Sequence, residues 1–396
     1  MSMSSGAGEL GRQVRMLFLV AMALFVVTIV IGILNGADAV EFDRNQLLTH
    51  VHSGTLGWLS LAIVAATLWI TGMPDRRLAI AFAILIPVYV LAFYSGSLPA
   101  RAITGTVLLA AMIWLFIWGW QCALRIRSLP SLAVALGLTS FLYGGIIGVL
   151  LQVQLATETQ IFGADGDVVG AHASTMVFSY LILVAMGLIE WQVKGTTGRP
   201  ILGLVQVLAL FGGGLLVAAT LLFAPSQIQA AGGLYLLFEL IAVVLFAMRI
   251  LPAALRIDWM TDSAGRYLAT ASVFVIAAMA IFMIVVASFV ANPDPTALNF
   301  GLVVASDHAA FIGVMTNLFV ALMFILAADR SDGPAALRQL AFVGMNVGLV
   351  VFLAGLITDT SLLKQLGAPT MGVSLLVLLA IASMRLRSST LSATDG

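Results

Sequence analysis

Twelve long apolar runs follow one another along the chain, at roughly 14–34, 47–72, 78–95, 102–124, 130–153, 168–189, 200–223, 231–250, 267–291, 300–327, 338–357 and 366–384. Charge, Pro or Gly bounds each run, and the intervals between them are short. A helix rises about 1.5 Å per residue, so about 20 residues cross a hydrocarbon layer of about 30 Å. Each run is of about that length, and the chain reads as an all-α polytopic membrane protein, one integral membrane domain over 1–396. The first run is read as a helix and not as a secretory signal, because it is too long and lacks a convincing cleavage site. Composition agrees: 61% of the residues are apolar and 9% charged, whereas a soluble domain is about a quarter charged.

Charge then sets orientation. With the N-terminus inside, Arg12, Arg15, Arg76, Arg77, Arg125, Arg127, Lys194, Arg199, Arg249, Arg256, Arg266, Arg330, Arg338, Arg385 and Arg387 fall on the inner side, and only Arg44, Arg101 and Lys364 on the outer. Short cytoplasmic loops carry the excess of Lys and Arg. The bias predicts a multi-pass protein of the cell membrane with both termini cytoplasmic. A net charge of zero offers no basic surface for nucleic acid. The single cysteine, Cys122, excludes an intramolecular disulfide, a Cys-x-x-Cys-His haem attachment and a thiolate cluster within the chain.

The chemistry is concentrated in four histidines: His50 and His52, His172, and His308, near the starts of the second, sixth and tenth runs. Read from the histidines, His52-Ser-Gly-Thr-Leu, His172-Ala-Ser-Thr-Met and His308-Ala-Ala-Phe-Ile share two small residues and an aliphatic fifth position. The pattern predicts three related four-helix units, about 1–128, 129–262 and 263–396, each with its histidine on the second helix. An imidazole at hydrocarbon depth is costly unless it is bonded or ligating. Small neighbours clear a flat space in which a macrocycle could lie between two imidazoles. The competing reading is a packing histidine bonded to a carbonyl. His50 and His52 sit about 200° apart on a helix, so they cannot both ligate one iron. The repeat favours His52 as the inner ligand and leaves His50 to cap the helix, bond a propionate or bind copper. Acidic residues precede each histidine: Asp38, Glu41 and Asp43, then Glu158, Asp165 and Asp167, then Asp294. Solvated loops explain them equally well.

With Thr49-His50-Val51-His52-Ser53-Gly54 and Val303-Val304-Ala305-Ser306-Asp307-His308, the chain resembles subunit I of the haem-copper oxidase and nitric oxide reductase superfamily. That resemblance implies twelve helices in three pseudo-symmetric groups of four, and a low-spin haem b between His52 and His308. It places Ser306 where the high-spin haem ligand would be and His172 where a copper ligand would be. The chain departs from the family in its seventh run, which holds no histidine pair, and at Met176, where a tyrosine is usual. No oxygen-reducing centre of the usual kind is expected. A weaker resemblance, to the NnrS family of haem and copper proteins linked to nitric oxide stress, implies a non-respiratory role.

Other polar residues lie in or near the runs. Glu239, inside the eighth, is either a proton relay or a neutral acid bonded between helices. Lys364 and Arg101 are candidates to meet haem propionates, against a simpler role as interfacial anchors. Asp307 reads as a solvated helix-start acid, and Trp114, Trp118 and Trp120 as an aromatic belt. The leading expectation is a bilayer-embedded haem b protein for electron transfer or response to NO or O2, an atypical or degenerate oxidoreductase at most, served by a redox partner or other respiratory subunits. The alternatives are a transporter or store for copper or haem, with His50, His52, His172 and His308 as successive contacts, and a non-catalytic assembly subunit.

Overall fold

The computed structural model describes residues 3–163, 165–194, 200–257, 259, 261, 263–292, 298–327 and 334–388. Among them are twelve helices long and apolar enough to cross a membrane: α1 Gly8–Gly36, α2 Arg44–Thr71, α3 Arg76–Tyr94, α4 Leu98–Ile126, α5 Leu129–Thr157, α6 Val168–Val193, α7 Ile201–Phe223, α8 Pro225–Arg249, α9 Ala264–Ala291, α10 Phe300–Leu326, α11 Ala335–Ile357 and α12 Ser361–Arg387. The protein is an all-α polytopic membrane protein. Arg199, Arg330, Asp294 and the side chain of Lys194, used above for orientation and for the acidic loops, lie outside the described residues.

Most helices extend a turn beyond their apolar runs, because polar residues at the ends satisfy the orphan N–H groups of the first turn. Asp43 accepts from Gln46 N while the Gln46 side chain accepts from Asp43 N, a reciprocal box that opens α2. Asp75, Ser97, Asp167 and Asn299 cap α3, α4, α6 and α10 in the same way with one bond each. Two of the acidic loop residues, Asp43 and Asp167, are therefore helix caps. Gly72 ends α2 at φ 65°, a left-handed conformation that glycine adopts without a Cβ clash.

Each of the three histidine helices contains an eight-residue π-helical segment, Ser53–Ser60 in α2, Thr175–Ile182 in α6 and Ala309–Thr316 in α10. The wider turn shifts carbonyls out of i+4 register, and buried side chains take them up. Ser60 Oγ donates to Thr55 O at 2.9 Å and Thr316 Oγ1 to Phe311 O at 2.8 Å, each five residues back. Asn317 Nδ2 donates to Gly313 O at 3.0 Å. Such segments cluster at functional sites.

The chain packs as two compact units, one of Met1–Gly96, Ile257–Thr270 and Phe311–Gly396, the other of Ser97–Arg256 and Ala271–Ala310. In the first, Trp58 stacks on Phe25 at 4.8 Å, meets Phe319 edge-on at 5.6 Å and donates its indole N–H to Thr316 Oγ1 at 2.9 Å, tying α1, α2 and α10. The Arg266 guanidinium is fully buried, 4.3 Å from the Phe342 ring, and donates to Gln339. In the second unit Phe141 stacks on Tyr180 at 4.5 Å and Phe178 on Phe282 at 3.4 Å. Arg249 of α8 donates to Glu190 of α6 at 2.6 Å and to Gln206 of α7 at 2.7 Å, a buried polar clamp on three helices.

Candidate functional site

All four imidazoles are fixed through the same atom. His50 Nδ1 lies 2.9 Å from Thr28 O, His52 Nδ1 2.8 Å from Leu48 O, His172 Nδ1 2.8 Å from Gly144 O and His308 Nδ1 2.8 Å from Val304 O. A carbonyl only accepts, so Nδ1 carries the hydrogen in each bond. In the neutral ring that leaves the ligand lone pair on Nε2, the arrangement by which proteins orient metal-binding histidines.

The four divide into two kinds. His52 and His308 each bond the carbonyl four residues earlier on their own helix, and each immediately precedes its π segment. The His52 ring is further held by Phe93 of α3, stacked at 3.6 Å, with Tyr89 edge-on at 6.3 Å. His50 and His172 instead reach across to the preceding helix, to Thr28 O of α1 and Gly144 O of α5, and each stands three residues before its π segment. In both cases a glycine one turn beyond the accepting carbonyl makes room for the ring. A Cβ on Gly32 would lie 3.0 Å from His50 Cε1, and one on Gly148 would lie 2.7 Å from His172 Cε1.

Anchor and register agree, and they change the alignment of the repeat. His172 corresponds to His50 and not to His52. The residue matching His52 and His308 in α6 is Ser174, and the residue matching His50 and His172 in α10 is Ser306. Aligned on the histidine itself, His172 matches His52, whereas aligned on the start of the π segment it matches His50, two residues earlier. In the corrected register Ser53, Thr175 and Ala309 open the segments, Gly57, Ser179 and Gly313 fall at the fifth place, and Trp58, Tyr180 and Val314 at the sixth. Neither protein-family models nor curated proteins match this chain. Its site is read from its own residues.

The remaining candidates are more dispersed. Lys364, in the first turn of α12, donates at 2.9 Å to Asp359 Oδ1 of the α11–α12 connection. Arg101, in the first turn of α4, is buried. Asp307 is half-buried beside His308 and not fully solvated. Trp120 donates to Thr139 Oγ1 of α5 at 3.0 Å, so at least this member of the aromatic belt also joins two helices. Glu239 is fully buried and accepts a hydrogen bond from Tyr235 one turn earlier on α8. Among the described residues no three His, Cys, Asp or Glu side chains gather into a metal-holding group.

The sequence reading missed the π segments and the Glu190–Arg249–Gln206 clamp. The clamp left a trace, since Glu190 is the one carboxylate in α6, near its C-terminal end, but nothing in the sequence pairs it with Arg249 across 59 positions.

Proposed function

We propose that the chain is a haem b-binding membrane protein in which His52 and His308 supply the axial imidazoles of one low-spin iron. The observation that carries this reading is their matched construction: the same i−4 carbonyl anchor, the same place before a π segment and the same Nε2 lone pair. Two residues related in this way by an internal repeat suit a symmetric ligand pair, and an imidazole whose orientation is already fixed loses little freedom on ligation. Phe93 adds to that fixing at His52. Bound there, haem b supplies a one-electron redox centre that serves electron transfer or response to NO or O2. The chain's own residues would hold the imidazoles in one tautomer through the Nδ1 bonds to Leu48 O and Val304 O. His50 and His172 take no part as axial ligands in this reading. Electrons come from a redox partner or another respiratory subunit.

The fifteen Lys and Arg on one side against three on the other support a cell-membrane protein with both termini cytoplasmic. A pyridine haemochrome assay on protein expressed with ample haem tests the cofactor. One haem b per chain is expected, and a colourless protein refutes the reading.

A copper-handling role is favoured at one place. His172 and Met176, four residues apart on α6, both lie against Gly144 of α5: the imidazole bonds its carbonyl, and a Cβ there would be 2.7 Å from the Met176 sulfur. Imidazole nitrogen with thioether sulfur suits Cu(I). Stoichiometric copper in place of haem, lost in His172→Ala, would decide for it.

A further inference from the structure

We infer that Glu239 is a binding site for one exchangeable proton inside the membrane-spanning part of the second unit, with Oε2 as the atom that takes it. Glu239 is fully buried in α8, and its two oxygens are treated differently. Oε1 accepts from the Tyr235 hydroxyl, whereas Oε2 has no hydrogen-bond partner among the described residues. No cation is paired with this carboxyl among those residues either. A buried carboxylate with one bare oxygen is among the costliest groups a membrane helix can carry, and a proton on that oxygen removes the charge without any other change. Where such a group is kept, its changeable state is the first function to consider.

The surroundings add to this. Tyr235 lies against Gly213 of α7, where a Cβ would stand 3.1 Å from its ring, and edge-on to Phe282 of α9 at 5.9 Å. Phe282 stacks on Phe178 of α6. The next residue, Ser179, is fully buried against Gly214 of α7, and its hydroxyl also has no partner among the described residues. Consecutive glycines of one helix thus receive Tyr235 on one side and Ser179 on the other, and a second buried oxygen comes to the same group of four helices. Counter-charge is scarce there. α7 has no titratable residue, α9 has only Arg266 and Tyr267 in its first turn, and on α6 the titratable side chains are His172, Tyr180 and Glu190. Glu190 is committed to Arg249, the other charge on α8. Of all these groups only Tyr235 is bonded to Glu239. A hard metal cation would need six or more oxygens, which this set does not provide.

The step balances as a proton transfer alone: carboxylate and hydronium give carboxylic acid and water, and no electron moves. It stands independently of the haem reading. The test treats the full-length protein in its membrane with dicyclohexylcarbodiimide, which forms a stable acylurea on protonated carboxyls in apolar surroundings, and reads the adduct by peptide mass spectrometry across pH. The expected result is an adduct on Glu239 whose yield falls along a single-proton curve as pH rises. Sodium in place of choline should leave it unchanged, Glu239→Gln should remove it and Tyr235→Phe should displace the curve. Should the Gln variant fail to fold, the wild-type and Tyr235→Phe curves still decide. No adduct at any pH, an adduct independent of pH, or protection by sodium overturns the assignment.

Discussion

Replacing Arg249 by Met tests how the second unit tolerates charge in the membrane. The guanidinium makes two short bonds, 2.6 Å to Glu190 Oε1 and 2.7 Å to Gln206 Oε1, and its side chain and that of Glu190 are 8% and 7% exposed. Met keeps most of the stem's volume but leaves the Glu190 carboxylate buried without its partner. Breaking a buried pair from one side costs about 3–5 kcal/mol. Gln206→Leu removes a hydrogen bond but no charge, and its expected cost is about 1–3 kcal/mol. In the double variant Arg249→Met with Glu190→Met both charges disappear together, and stability should return to within about 1–2 kcal/mol of wild type. Reversible unfolding in mixed micelles, followed by helical circular dichroism, gives these differences, and the single Glu190→Met completes the cycle that isolates the coupling. If Arg249→Met costs no more than Gln206→Leu, or the double variant is worse than either single, the clamp is not a desolvated ion pair and the reasoning fails.

Three further outcomes follow from the geometry. Phe93→Leu removes the stacked ring beside His52, worth about 0.5–1.5 kcal/mol, and should weaken haem retention by about 2- to 12-fold in transfer to an apo-globin acceptor. The same change at the exposed Tyr94 should do nothing. Gly148→Ala places a methyl 2.7 Å from His172 Cε1 and should cost about 1–3 kcal/mol in the same unfolding assay while sparing the haem spectrum. The hydrogen bond and charge of Lys364 hold the Asp359 carboxyl below its usual range. A depressed carboxyl contributes stability that is present above its unfolded value and lost as pH falls through its folded one. Lys364→Met should move the Asp359 titration back toward the ordinary carboxylate range, read by carbon NMR of labelled aspartate.

The helices were legible because hydropathy is a property of composition over a window, and every run between 14 and 384 corresponds to a span in the structure. The ends were less so. Asp43 and Asp167 look alike as loop acids or as caps until the bonds to Gln46 N and Gly170 N are known. The histidines announced themselves by rarity, but their register did not. A π turn inserts its extra residue without any marker in the side chains, so the sequence matches His172 to His52, whereas the reach to Gly144 and the start at Thr175 match it to His50. Arg266 and Arg338, counted among the inner-side charges, are buried, Arg266 over the Phe342 ring. An aromatic 76 positions away gives no local sign of that. The Tyr235–Glu239 bond is of a more legible kind, because side chains four apart share a helix face.

The account rests on His52 and His308 as a pair, and optical spectroscopy of the reduced protein with and without carbon monoxide tests it most directly. Two imidazoles saturate the iron, so sharp low-spin b-type bands that carbon monoxide barely alters are predicted. His52→Ala and His308→Ala should each lose the haem or turn it high-spin and open to carbon monoxide, while His50→Ala and His172→Ala leave the bands in place. Loss of the low-spin bands in His172→Ala, with His308→Ala unaffected, would contradict the pairing.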